Sequence, residues 1–246
     1  MRHRENKSFT RLYIPHDFAP EITCDLPENQ IHYIRNVLRM SAGDQLIVFN
    51  GKDGEWIAEL TEIAKKRGSI SLIEQTRPQS ASSDLWAVFA PIKKARQDFL
   101  VEKATELGVS RLLPVITDYC NNARMNKDRV TAQTIEAAEQ CERLDMPEID
   151  DLQKLNTLLN TWPEDRTLLV CAEKGDAVPI ATAAQNLKGN PVGILVGPEG
   201  GFSDQELELL ASKDFTQMID LGPRILRAET ALITALSSYQ MISLAS

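Results

Sequence analysis

Over the first seventy or so residues, apolar and polar side chains alternate in short runs. Phe9 to Ile14, Gln45 to Phe49, Glu55 to Ile63 and Ser69 to Glu74 have strand composition, with turn chemistry at Ala42-Gly43-Asp44 and Asn50-Gly-Lys-Asp-Gly54. Between the first two runs, Ile31, Ile34, Val37 and Leu38 recur at helical spacing over Asn29 to Met40, which leaves Arg35 and Arg39 four residues apart on another face. A small β module with a projecting arginine pair suits RNA docking. The same pattern also describes an ordinary barrel whose arginines are only solvated.

Beyond this module the period changes. Ser80-Ala-Ser-Ser-Asp84 is small and polar between two apolar runs, as a linker would be. Strand-length runs then alternate with stretches at 3–4 spacing. Strand Leu85 to Pro91 precedes a helix over Lys93 to Leu107 that faces Phe99, Leu100, Ala104 and Leu107 inward and stops at Gly108. Strand Arg111 to Ile116, helices Lys127 to Arg143 and Asp151 to Asn160, strand Thr167 to Ala172 and a helix within Val178 to Leu187 follow. Such alternation predicts an α/β fold with a mostly parallel sheet. A last helix, Glu229 to about Leu244, lines up Leu232, Ala235, Leu236, Tyr239 and Ile242 or Ser243, apolar enough for a core or a subunit interface. The chain thus reads as a β domain over 1–78 and an α/β domain over 79–246.

Candidate chemistry is densest between Pro191 and Ala231. Pro191-Val-Gly-Ile-Leu-Val196 reads as a central strand, and Gly197-Pro-Glu-Gly-Gly-Phe-Ser203 follows it. Three glycines there let backbone approach a ligand with no Cβ in the way, at the strand end where open α/β sheets bind their ligands. Ser203 with Glu206 forms a capping box, so a helix begins near Asp204. A second glycine bend, Leu221-Gly-Pro-Arg-Ile-Leu-Arg-Ala-Glu-Thr-Ala231, runs into the last helix. Arg224, Arg227 and Glu229 either cap and pair across that turn or face a pocket, and two glycine bends in one domain favour the pocket. Glu199 reads as a partly buried carboxylate accepting backbone N–H bonds from the second bend, with balancing of a cationic cofactor as the alternative.

At 246 residues the chain can bury a sizeable core. Its net charge of -8 disfavours a nucleic-acid partner, but the charge is uneven. Both the first eleven residues and the stretch from Pro91 to Arg129 carry a basic excess of three, the latter including Lys93, Lys94, Arg96 and Arg124. Salt confines each charge to about 10 Å, so these segments can hold phosphate, although solvated surface lysines give the same counts. Cys24, Cys120, Cys141 and Cys171 are scattered with no CxxC pair, and the three histidines all precede residue 33. Neither a metal site nor a disulfide framework is expected. No apolar leader or membrane-length run is visible, which points to a cytoplasmic protein without membrane attachment. Walker, GxGxxG and GxSxG motifs are missing, so the chemistry falls to backbone, arginine and carboxylate.

The two glycine bends together resemble the SPOUT class of S-adenosylmethionine-dependent RNA methyltransferases, and more narrowly the bacterial small-subunit (16S) rRNA uracil-N3 methyltransferase family. Phe9-Thr-Arg-Leu-Tyr13, His32-Tyr-Ile-Arg-Asn-Val-Leu-Arg-Met40 with Gly43, Glu102-Lys-Ala-Thr-Glu-Leu-Gly-Val109 and Glu139-Gln-Cys-Glu-Arg143 extend the resemblance over the chain. It implies an N-terminal PUA-like β-barrel that binds RNA, a C-terminal α/β domain threaded into a deep trefoil knot, a homodimer, and 16S rRNA or the small ribosomal subunit as partner. It also implies an S-adenosylmethionine pocket built from Ala172, Val196, Gly197, Pro198, Glu199, Gly200, Gly201, Leu221, Gly222, Ile225, Leu226, Arg227, Thr230 and Ala231. Uracil N3–H is a weak acid, so methylation there needs positive charge near the developing anion or a base. Arg227 and Arg11 are candidates for the first role and Glu229 for the second. Arg11, Arg35, Arg39, Lys93, Lys94, Arg96, Arg124 and Arg143 are the candidate RNA contacts. The chain departs from the family pattern at Asp118-Tyr119, where a Glu-Arg pair is expected, and at Glu142-Arg143, where Gly-Arg is common; both lie on the expected RNA side.

Overall fold

The structure, a computed structural model, describes residues 10–120, 124–172 and 177–243. Arg2, Arg4, Lys7 and Phe9 at the basic start, and Leu244 at the expected end of the last helix, lie outside the described residues. The chain divides into two compact units, one holding Met1–Ala81 with Ala138–Asp145 and the other Ser82–Ala137 with Met146–Ser246.

The first unit contains β1 (Arg11–Tyr13), β2 (Thr23–Asp25), α1 (Glu28–His32), a π-helical turn (Tyr33–Val37), β3 (Gln45–Phe49), β4 (Glu55–Ile63) and β5 (Gly68–Arg77). Its sheet runs β1-β3-β4-β5-β2; the β1–β3 ladder is parallel and the others antiparallel. Leu46 and Val48, Trp56, Ala58 and Leu60, and Ile70 and Leu72 all face the core at the two-residue period of a strand. Three register shifts between β4 and β5 bend the sheet.

The apolar spacing predicts one helix over Asn29 to Met40, but the structure breaks it. Leu38 N–H reaches back to Tyr33 O at 3.1 Å in the wider π pattern, and the chain leaves through Arg39 in the left-handed region at φ 55°. Arg35 and Arg39 are therefore both exposed but do not share a helical face. Arg11, a candidate for catalysis and for RNA, is instead buried. Its Nε donates to Glu55 Oε2 at 3.1 Å, Nη1 to Ala138 O at 2.7 Å and Nη2 to Arg143 O at 2.6 Å, and the guanidinium lies 3.7 Å from the Phe49 ring centroid. Those contacts make it a structural tie within this unit.

The second unit contains β6 (Leu85–Phe89), α2 (Lys94–Glu106), β7 (Arg111–Ile116), α3 (Lys127–Cys141, whose last turn belongs to the first unit), β8 (Glu148–Ile149), β9 (Gln153–Lys154), α4 (Leu155–Asn160), β10 (Thr167–Cys171), β11 (Val178–Pro179), α5 (Ile180–Asn186), β12 (Val192–Val196), α6 (Asp204–Ala211), β13 (Thr216–Asp220) and α7 (Ala228–Ser243). Every ladder of its sheet is parallel, in the order β11-β13-β10-β12-β6-β7-β8, with β9 also on β7. Alternate strand residues feed two cores. Leu85, Ala87, Phe89, Leu169, Ile194 and Val196 meet α2, α5 and α7, whereas Val88, Leu113, Leu168, Val170 and Leu195 meet α4, Trp162 and Leu210 of α6. β12 is buried along its whole length, as its unbroken apolar run predicts. Phe99 departs from the expected inner face of α2 and is 44% exposed, because Leu100, Val101 and Ala104 already fill the contact.

Candidate active site

The site is set by strand register. Val196 at the end of β12 and Ile219 at the end of β13 both lie beside Cys171 at the end of β10. Neighbouring strands lie about 4.8 Å apart, so the two glycine bends leave the same carboxyl edge roughly 10 Å from each other, with Ala172 between them. That spacing suits a nucleoside.

Within the first bend, Gly201 N–H closes a turn onto Pro198 O at 2.9 Å, and Gly201 takes φ 72°. In the second bend Gly222 takes φ 110°, with its N–H on Asp220 Oδ1 at 2.9 Å. A Cβ built on either glycine meets nothing within 4 Å, so open space borders both bends. The other two loop glycines are packed: a Cβ on Gly197 would stand 3.1 Å from the Phe202 ring, and one on Gly200 3.0 Å from Tyr119 Cβ. The first bend is fixed downstream by the capping box, where Ser203 N–H reaches Glu206 Oε2 at 3.0 Å and Glu206 N–H reaches Ser203 Oγ at 3.2 Å. Asp118 joins this cap by accepting the Ser203 hydroxyl at 2.6 Å and donating its N–H to Glu206 Oε1 at 2.9 Å. Its departure from the family pattern thus has a structural use that spacing along the chain could not show.

Glu199 corrects an expectation. Its carboxylate is partly buried, but the hydrogen bond it accepts comes from Arg96 Nη1 at 3.2 Å, with none from the backbone of the second bend among the described residues. The same Arg96, in the first turn of α2, has its Nε 3.8 Å from Glu229 Oε1. One guanidinium therefore links the first bend to the start of α7, where the second bend ends. Glu229 is 8% exposed, and its Oε2 is buried without a hydrogen-bond partner among the described residues. Buried carboxylate oxygens are rarely left so, and this one has acceptor capacity to spare.

Among the remaining pocket candidates, Leu221, Leu226 and Ala231 are half-buried, Ala172 packs against the lower core, and Ile225, Arg227 and Thr230 are exposed, Ile225 at 83%. Arg227 caps α7 through its carbonyl, which takes Ala231 N–H at 2.8 Å, and no ion pair holds its side chain among the described residues. Burial pushes the Cys171 thiol up to about 12, so it stays protonated beside the pocket floor. Lys93 and Lys94 are exposed at the start of α2, and Arg124 is exposed before α3. Arg143 belongs to the first unit, where its Nε meets Asp145 Oδ1 at 3.1 Å.

A parallel α/β sheet with paired glycine bends at its carboxyl edge, following a small β unit, defines a class in agreement with the known proteins the chain matches. Residues 79–240 match the RNA methyltransferase domain and residues 26–73 the RNA methyltransferase PUA domain. The chain is 36% identical over 237 residues to ribosomal RNA small subunit methyltransferase E of Rickettsia conorii, covering 95% of this chain and 96% of that one. The protein of the same name from Bacillus subtilis is 31% identical, with coverage of 89% and 90%. A crystal structure of ribosomal RNA small subunit methyltransferase E from Neisseria gonorrhoeae bound to S-adenosyl methionine matches with a TM-score of 0.85 at 27% identity, covering 95% and 98% of the two chains. The chain belongs to the ribosomal RNA small subunit methyltransferase E family.

Proposed function

We propose that this protein uses S-adenosylmethionine to methylate N3 of a uridine in 16S rRNA. The observation that carries the reading is the pair of open glycine bends flanking β10, where Gly201 and Gly222 leave room that any side chain would take. These bends fit the cofactor, which when bound supplies a methyl group on a sulfonium. Val196 to Gly201, Leu221 to Arg227 and Ala172 are the residues that would hold it.

The rest is the work of this chain on the base. Uracil must arrive unpaired or flipped, because N3 is hidden in a Watson–Crick pair. Glu229 Oε2, buried and unpartnered, accepts the N3 proton, and Arg96 keeps that carboxylate in place. Arg227, exposed and without an ion pair among the described residues, is the cation assigned to the charge that develops on the uracil oxygens. Lys93, Lys94 and Arg124 in the second unit and Arg35 and Arg39 in the first supply exposed cations for phosphate. As the family resemblance implies, the enzyme works as a cytoplasmic homodimer with a knotted C-terminal domain. The test is methyl transfer to small subunits from cells lacking the gene, with digestion and mass spectrometry of the rRNA. One new N3-methyluridine is the expected product; no transfer, or a methyl group on ribose or another base, contradicts the reading.

A further inference from the structure

The turn after β7, Thr117 to Cys120, closes through Cys120 N–H on Thr117 O at 3.1 Å. It is held on both sides of Tyr119: Asp118 is locked into the cap of α6 by its two bonds to Ser203 and Glu206, and Cys120 Sγ donates to Pro91 O at 3.5 Å. Tyr119 Cβ rests on the glycine loop at Gly200, yet the residue is 52% exposed, and no ring contact or hydrogen bond engages its side chain among the described residues. An aromatic ring is thus held out toward water by a fixed turn against the loop that borders the cofactor space.

Its surroundings indicate what covers it. Lys93 and Lys94 follow Pro91, the residue this turn touches, by two and three positions; both are exposed, and neither has an ion-pair partner among the described residues. An exposed ring near exposed cations is how proteins take single-stranded RNA, with bases stacked on the aromatic face and phosphates on the cations. We propose that Tyr119 is the platform on which an unpaired base of the substrate RNA stacks, next to the methyl-transfer site, with Lys93 and Lys94 on the flanking phosphates. The proposal rests on the RNA methyltransferase reading above. It gives Tyr119, the other half of the Asp118-Tyr119 departure, a use of its own.

Tyr119→Ala is a clean test, because it keeps the Cβ that touches Gly200 and removes only the ring; Tyr119→Phe keeps the ring. In the full-length protein, Tyr119→Ala is expected to bind S-adenosylmethionine within about twofold of wild type by calorimetry. Its KM for small subunits should rise roughly 5- to 150-fold, the range for losing one base–aromatic stack, while Tyr119→Phe behaves as wild type. An unchanged KM overturns the proposal, as does a matching loss of cofactor affinity, which would make the ring part of the cofactor loop. Affinity for a uridine-bearing single-stranded oligoribonucleotide, followed by fluorescence anisotropy, needs no turnover. If wild type transfers no methyl group, the functional reading fails by itself and anisotropy still decides on Tyr119. A loss in the alanine variant alone supports the stack, and equal affinities in all three proteins refute it.

Discussion

The left-handed residue in the first glycine bend is Gly201, at φ 72°, and the conformation sets the size of a substitution effect. Gly201→Ala places a Cβ in open space, so no clash contributes and only backbone strain remains. An L-residue forced left-handed costs about 1–2 kcal/mol. The alanine variant escapes this strain in the free protein by opening the Gly201 N–H bond to Pro198 O, and binding must then restore the strained shape. If the bend must hold this shape around the cofactor, calorimetry should show S-adenosylmethionine bound roughly 5- to 30-fold more weakly. Gly201→Asn should recover much of that loss, since asparagine tolerates the left-handed region. Gly200→Ala should behave differently, because it displaces Tyr119 rather than straining the backbone, and should act more on RNA than on cofactor. Unchanged cofactor affinity in Gly201→Ala, or equal losses for alanine and asparagine, would refute the reasoning.

Three further outcomes are expected. Arg96→Met leaves Glu199 and Glu229 without their shared cation, and turnover should fall at least tenfold in a single-turnover methylation assay. Arg11→Met strips a guanidinium from buried Glu55 and from two carbonyls, and should cost the first unit about 3–5 kcal/mol in denaturant titration while cofactor affinity holds. Burial pushes the Cys171 thiol from an ordinary 9.0 up to about 12, so the folded state keeps a proton that the unfolded state loses. Stability should therefore fall as pH rises above 9.0 toward 12, and Cys171→Ala should flatten that slope in pH-dependent unfolding.

The sequence reveals most where local and global preferences agree. β3, β4, β7 and the start of α6 fall where strand composition and the capping box put them. β2 has three residues between Pro20 and Pro27, too few to carry a period, and is seen only once it pairs with β5. β13 is equally hidden: Thr216–Asp220 mixes polar and apolar residues and becomes a strand by lying between β10 and β11. The π turn at Tyr33–Val37 shows the limit of helical spacing, which cannot tell a helix from one that widens and ends early. Both glycine bends are legible, whereas their mutual placement depends on strand order. The charged residues are the least legible. Arg11 and Arg96 look alike as basic residues near motifs, but one is enclosed by Glu55 and two carbonyls and the other joins Glu199 to Glu229. Those partners are 44 or more positions away along the chain.

The central claim is that the two bends at the ends of β12 and β13 form one cradle for a methyl donor. A co-crystal with S-adenosylmethionine examines it directly. The ligand should lie over Ala172 between Gly197–Gly201 and Leu221–Arg227, with backbone groups of both bends on its adenosine. Density for the ligand touching only one bend, or lying elsewhere on the chain, would contradict the account.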